Sequence, residues 1–501
     1  MKRYLYIAAC SLAALTTYAQ QNPNTEEDAV RLSQDNLTGT ARFRAMSGAF
    51  GALGGDLSSI NINPAGSAIF NYNSATGSLT SYNISNTSKY FGTTNKQNDS
   101  SLDLNQLGIV FVFNNTKENA AWQKFAIAFN YENTSNLDNS IYTSGVSPNS
   151  NIERYFSRYL QNRLPGEGPI AVGTIANNFF ENLNYVDQQA YLGYEGFVFD
   201  PEVPDDPTVN SYVSNVTTGN VYKDNSLVST GYNGKVAFNI AGQLKERFYL
   251  GLNLNVHFTD YLKTTSYYEE FNNAGVDDLQ WTEFNNERYT YGGGFSLNLG
   301  GIMKVTEALR LGLAYESPTW YRLQDELRQN IVSNVGGEVI VADPGVVMVM
   351  DDYSIQTPAK YTGSLAYVFG KNGLISADLA FRDHSTTKFG GNRSDLVNNS
   401  LSETLHWAGE LRVGAEYRIK NVSLRGGYRY EQSPYKDGKT IGDLTGFSGG
   451  LGFAFPNSRL DLAYSWYRRE ADMSFLTPSL SDATRINSNN NNVTLSYTID
   501  L

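Results

Sequence analysis

The sequence predicts an all-β membrane protein: a fourteen-stranded antiparallel transmembrane β-barrel, with an N-terminal hatch in its lumen and a partly helical extracellular insertion. Four observations lead there. The 501 residues include 34 Tyr, 26 Phe and 45 Gly, yet mean hydropathy is only −0.37. No apolar run approaches the roughly 20 residues of a spanning helix, which excludes crossing by helices. From Ala75 onward the apolar residues instead repeat with period two, the mark of strands that bury one face. Connections between these runs alternate between short and long, as a barrel with periplasmic turns and external loops requires.

Residues 1–19 read as a secretory signal peptide. Lys2-Arg3 supply the basic start, Leu5 to Leu15 the apolar run, and Thr17-Tyr18-Ala19 a small-x-small cleavage site. Ile7-Ala8-Ala9-Cys10 has the look of a lipoprotein box, but about six apolar residues before the cysteine make a short core for that signal. Cleavage after Ala19 removes the one cysteine, and with it disulfide and thiol chemistry. A formal charge of −12 offers no basic footprint for nucleic acid.

Residues 20–74 form a lead-in and the hatch. Gln20 to about Asn36 is polar and acidic, and is expected to be a mobile or periplasmic lead-in. Residues 41–70, ARFRAMSGAFGALGGDLSSININPAGSAIF, are rich in glycine and alanine. Small residues let a backbone approach other surfaces closely, and Asn-Pro sets a turn while removing a ladder donor. Such a stretch suits a compact plug, with Arg44, Gly48, Asp56, Asn63, Pro64, Ala65 and Gly66 as its marked positions.

The barrel is expected over 75–501. Strands fall near 75–91, 102–114, 122–145, 226–243, 246–272, 279–303, 308–333, 351–370, 373–389, 403–419, 421–433, 440–456, 458–470 and 484–501. The alternation is clearest in Leu405, Trp407, Leu411, Val413, Ala415, Tyr417 and Ile419, which are separated by His406, Glu410, Arg412, Glu416 and Arg418. A soluble sandwich seldom points so many ionisable groups one way. Closure follows because unpaired backbone groups in lipid cost several kcal/mol each.

Residues 146–225 interrupt the rhythm on the external side. Ile152, Tyr155, Phe156, Tyr159 and Leu160 keep helical spacing, as do Val172, Ile175, Ala176, Phe179, Phe180 and Leu183, with Pro165-Gly166 between the two runs. Either these stripes seal over the barrel mouth or they form a groove that collects ligand. On the second reading Tyr155, Phe156, Tyr159, Leu160, Phe179 and Phe180 are the capture residues.

Glu410, Arg412, Glu416, Arg418, Arg425, Arg429 and Glu431 should form a lumenal charge ladder that braces the hatch or holds a ligand carboxylate. His257, His384 and His406 share lumenal parity, which any polar residue must, so parity assigns no metal or haem to them. No catalytic motif stands out (no GxSxG, HExxH or Walker loop), and neither an enzyme nor a cofactor is expected.

Several of these stretches resemble the FadL-type outer-membrane transport family. They are the run Ser47-Gly48-Ala49-Phe50-Gly51-Ala52 followed by Asp56 and Asn63-Pro64-Ala65-Gly66, and Thr357-Pro358-Ala359-Lys360 opening a strand. Leu411 to Tyr417 with Arg425-Gly426-Gly427-Tyr428 and Gln432-Ser433-Pro434, and Phe447 to Trp466, extend the likeness. It covers the hatch and the C-terminal third well, the middle weakly. The resemblance implies a Gram-negative outer-membrane channel for hydrophobic compounds such as long-chain fatty acids, acting as a monomer. Its partners would be a hydrophobic small molecule, outer-membrane lipid and the barrel-assembly machinery. Ligand would leave sideways through a gap made by a kinked early strand, and alternation here lapses around Tyr131-Glu132-Asn133-Thr134. Two rival readings are a FadL-like scaffold component of type IX secretion and a haem receptor.

Overall fold

Strands whose side chains alternate between hydrocarbon and a polar lumen must find hydrogen-bond partners on both edges, and a ring is the arrangement that supplies them. The computed structural model describes residues 25–117, 120–148, 150–161, 168–391, 394–476 and 482–501. In it, twenty strands joined end to end make fourteen antiparallel staves.

The first staves are β1 (Ser74–Tyr90) and β2 (Thr93–Asn114). A third is built in two pieces, β3 (Trp122–Asn136) and β4 (Asn139–Ser147). After the insertion, which holds the small ribbon of β5 (Phe199–Pro201) and β6 (Tyr212–Ser214), come β7 (Val221–Leu244), β8 (Phe248–Phe271) and β9 (Leu279–Lys304). The seventh stave is β10 (Leu309–Glu316) with β11 (Trp320–Val335), broken at Pro318. The eighth descends through β12 (Glu338–Ala342), β13 (Met348–Val349), β14 (Tyr353–Gln356) and β15 (Lys360–Phe369), broken at Pro358. The ninth is β16 (Gly373–Asp383) with β17 (Lys388–Gly390). The last five are β18 (Trp407–Ile419), β19 (Val422–Glu431), β20 (Leu444–Ala454), β21 (Ser458–Met473) and β22 (Thr484–Asp500). β22 pairs with β1 from Ser74↔Asp500 upward, so the ring closes.

The two faces sort as the alternation requires. On β8, Leu250, Leu252, Leu254 and Val256 are exposed on the outer wall, while Asn253, Asn255 and His257 are buried in the lumen. Outward aromatics form two girdles: Trp122, Phe248, Phe369, Tyr417 and Phe453 near the periplasmic ends, and Trp320, Phe381, Trp407 and Phe447 on the external side.

Three sequence expectations need correction. The lead-in is neither loose nor periplasmic where it is described: α1 (Glu26–Ser33) sits in the outer half of the lumen. Its Ala29, Val30 and Leu32 pack with Tyr321, Tyr353, Phe389 and Leu401. β2 starts nine residues earlier than its apolar pattern, because Thr93 to Ser101 carry no apolar face to read. The loop after β17 contains a helix (Ser394–Thr404), so the tenth stave begins at Trp407 and not at 403.

The hatch follows α1. It comprises α2 (Ala41–Ala45), a run of tight turns, and two 3-10 turns at Leu57–Asn61 and Pro64–Ile69. The insertion contributes α3 (Glu153–Gln161), α4 (Val172–Ala176) and α5 (Tyr185–Glu195), the last absent from the sequence expectation.

Candidate functional site

The hatch is fixed to the wall by charges and by backbone contact. Thr40 caps α2, its hydroxyl accepting from Phe43 N and donating to Asp56 at 2.8 Å, while Asp56 also accepts from Ser58 N at 3.0 Å. Asn63 caps the second 3-10 turn by accepting from Ala65 N, and its amide donates to the carbonyl of Gly51 at 2.7 Å and to that of Gly301 in β9 at 3.0 Å. Asp378 of β16 takes the N–H groups of Phe50 and Gly51, both at 3.0 Å. Glycine on the lumenal face of the wall and within the hatch makes room for this. A Cβ at Gly312 would stand 2.3 Å from Gly51 O, and one at Gly66 would stand 2.6 Å from Ser59 Oγ. Gly48 has φ +77°, a left-handed turn that seats it against Arg412.

Below these anchors the plug shuts the axial route. Leu57 and Ile60 are buried with Val110, Ala126, Ala128 and Ala237 of the wall, and Pro64 and Ala65 press on Gly251 at the foot of β8.

Among the residues of the charge ladder, each arginine has a carboxylate. Glu416 binds Arg42 of α2 at 2.9 Å, Arg425 at 2.7 Å and Arg418 at 2.8 Å. Arg425 also reaches Asp461 at 2.7 Å, Arg412 pairs with Glu410, and Arg429 pairs with Glu431. Lys360 bridges Glu410 and Asp35, each at 3.0 Å, and Arg382 joins Asp35 at 2.9 Å. Arg44 is fully buried, donating to Thr80, Tyr82 and Ser465. The ladder therefore grips the hatch through Arg42 and Asp35.

Arg31 on α1 is different, and sequence reasoning missed it. Its side chain is 10% exposed and lies over the Tyr261 ring at 4.2 Å. Its ion pair with Asp28 is long, 3.7 Å, and none of its guanidinium nitrogens has a hydrogen-bond partner. Asp28 is engaged by Arg288 at 3.0 Å. Burial pushes the Asp28 carboxyl up, but Arg288 and Arg31 outweigh it and hold it at about 2.

A cavity of about 260 Å³ opens in front of Arg31. Tyr82 and Tyr261 line it, together with Ser101, Asn136 and Asp138. Ser101 and Asn136 belong to two neighbouring staves, β2 and β3, that come unpaired here, leaving a gap in the ladder. The β2–β3 ladder stops at Gln106↔Glu132. Above it β2 pairs with β1 alone as far as Thr93, and β3 follows β7 with a register shift between Asn133 and Ser135. That shift falls where the alternation lapses in the sequence. Side chains bridge the gap: Asn136 Nδ2 donates to Ser101 Oγ at 2.9 Å and to Asp103 at 2.6 Å.

The insertion closes the barrel mouth. Of the residues considered for ligand capture, Tyr155, Phe156, Leu160 and Phe180 are buried, in one core with Phe284, Leu327 and Ile331 of the tall β9–β11 wall, and Tyr159 packs against it. Phe179 alone among them stands out, 75% exposed. The Pro165-Gly166 break lies outside the described residues. Phe156→Asp should cost about 3–5 kcal/mol by placing a carboxylate between Tyr155 and Phe284. Phe179→Asp should stay within about 0.5 kcal/mol. Limited proteolysis of the insertion, alongside heat-modifiable gel mobility of the barrel, reads the two effects separately.

The histidines are occupied. His257 bonds Ser296 Oγ at 2.9 Å, His384 bonds Ser33 Oγ at 3.1 Å, and His406 bonds Ser433 O at 3.1 Å. His384 lies in a short 3-10 turn and not on a strand. Among the described residues no cluster of His, Cys, Asp or Glu could hold a metal ion.

No family model matches the sequence, and no curated protein matches it. Solved structures do match. A FadL homologue of Pseudomonas aeruginosa superposes with a TM-score of 0.55 at 12% identity, covering 93% of this chain and 99% of that one. The Pseudomonas putida toluene transporter TodX superposes with a TM-score of 0.51 at 14% identity, covering 93% and 99%. The chain thus has the outer-membrane β-barrel fold of these channels.

Proposed function

We propose that the chain is an outer-membrane channel for hydrophobic small molecules, long-chain fatty acids among them, which leave its lumen sideways into the bilayer. The reading rests above all on the β2–β3 ladder, which ends at Gln106↔Glu132 just above a hatch that fills the lumen. An apolar solute gains nothing by entering periplasmic water, whereas a side exit delivers it to hydrocarbon. Arg31 adds a preference. A buried guanidinium without acceptors is costly, and an acidic head group entering the cavity supplies them. The channel works as a monomer, exported by a signal peptide cut after Ala19 and inserted by the barrel-assembly machinery.

Proteoliposomes test this. The barrel should speed transfer of oleate and of toluene into the vesicle membrane, without sucrose-driven swelling, because the hatch blocks an aqueous pore. Swelling in sucrose with no gain in hydrophobic transfer would overturn the reading.

A further inference from the structure

On the lipid side of the wall, a hollow of about 1020 Å³ spans β8, β9, β10, β15 and β16. We propose that it binds the acyl chains of an outer-membrane lipid. This goes beyond transport, and its test does not depend on the transport reading.

The hollow runs from mid-wall up to the external aromatic girdle at Phe381, so hydrocarbon is what faces its floor. Its floor is Gly301, Gly363 and Ala377, and Leu299, Leu313 and Leu379 rise around it. Neither glycine has a positive φ. A Cβ at Gly363 would meet nothing within 4 Å, and one at Gly301 would make only ordinary contact with Leu250 at 3.5 Å. Neither turn geometry nor packing therefore demands glycine here, and in a strand interior it costs about 0.5–1 kcal/mol against alanine. What the missing side chains provide is depth, and a strand glycine of this kind marks close approach by another molecule.

The occupant is apolar. Asp378, behind the floor, has its carboxylate turned to the hatch N–H groups, and Asn63 of the hatch holds the carbonyls of Gly301 and Leu313 from within. No charged group is left at the floor for a head group, so chains and not heads fill the hollow. It is also no exit. The β9–β10, β10–β15 and β15–β16 ladders run through it without a register shift, unlike the β2–β3 gap. A concave wall touches a chain on several sides where a flat one touches it on one, and each added contact is a small dispersion gain.

Native mass spectrometry of the delipidated barrel, titrated with dipalmitoyl phosphatidylethanolamine, tests the site. A saturable lipid adduct is expected. Gly363→Leu fills the hollow and should weaken binding about tenfold or more, equivalent to 1.4 kcal/mol. Gly426→Leu, at a lipid-facing glycine outside the hollow, should bind like the parent. Leu313→Ala removes a wall that is 73% exposed, so it should fold normally and still weaken binding, which decides the matter if Gly363→Leu misfolds. Unchanged affinity in both hollow variants, or a non-saturating spread of adducts, would overturn the proposal. So would a second polypeptide that co-purifies and is displaced by Gly363→Leu.

Discussion

Joining Ser101→Cys on β2 to Asn136→Cys on β3 should stop hydrophobic transfer. The native side chains already meet at 2.9 Å across the gap, so a short bis-methanethiosulfonate reagent can span the pair. The sequence's one cysteine, Cys10, precedes the expected cleavage site, so the engineered pair faces no competing thiol in the mature chain. Oleate transfer in proteoliposomes should fall to the level of protein-free vesicles, and dithiothreitol should restore it. The same reagent on either single variant should do little. Transfer that survives a complete cross-link would place the exit elsewhere.

Glu416→Ala should be the most damaging single change to the hatch. The carboxylate is 1% exposed and holds Arg42 of the plug together with Arg425 and Arg418 of the wall. Removing it leaves guanidinium groups buried without this partner, a loss of about 3–5 kcal/mol. Arg425 keeps Asp461, so the plug contact through Arg42 bears most of the damage. Planar-bilayer recordings should show new ion-conducting openings as the hatch loosens, and urea unfolding should begin earlier. The pair Arg42→Met with Glu416→Leu should recover part of that stability, since the plug's buried charge goes with its partner while Arg425 keeps Asp461 and Arg418 is half exposed. A quiet bilayer trace from folded Glu416→Ala protein would mean that the backbone anchors at Asp378 and Asn63 suffice.

Most of the wall was legible because its chemistry is local. Each stave must show hydrocarbon one face and the lumen the other, so β8 or β18 declares itself within ten residues. The hatch was legible for a related reason, since a small-residue run can bring Gly51 against the wall at Gly312. What stayed hidden depends on pairing between distant segments. The end of the β2–β3 ladder is a relation between Gln106 and Glu132 that neither segment states alone. The outer part of β2, Thr93 to Ser101, carries no apolar alternation and so gave nothing to read. α1 has only Ala29, Val30 and Leu32 to show as an apolar stripe, and Arg31 among them gave no sign that its guanidinium would lack acceptors. The capture stripe of α3 was visible as a stripe, but nothing in it told a groove from the closed core that Phe284 and Ile331 complete.

The seam between β1 and β22 also sets an order of assembly. Ser74 and Asp500 meet across 426 residues of chain, so ring closure costs about 5 kcal/mol of loop entropy before the seam bonds repay it. The plug lies upstream of β1, yet it is held by the strands synthesised last: Ala41 N donates to Ser496 Oγ of β22, and Arg44 reaches Ser465 of β21. The first segment made therefore waits for the last to complete its seat. Strands of the N-terminal half already offer the plug Asn105, Asn239 and Asn253 as donors, but the bonds to β21 and β22 must wait. Closing the seam and completing the plug's seat are thus coupled through the same two strands.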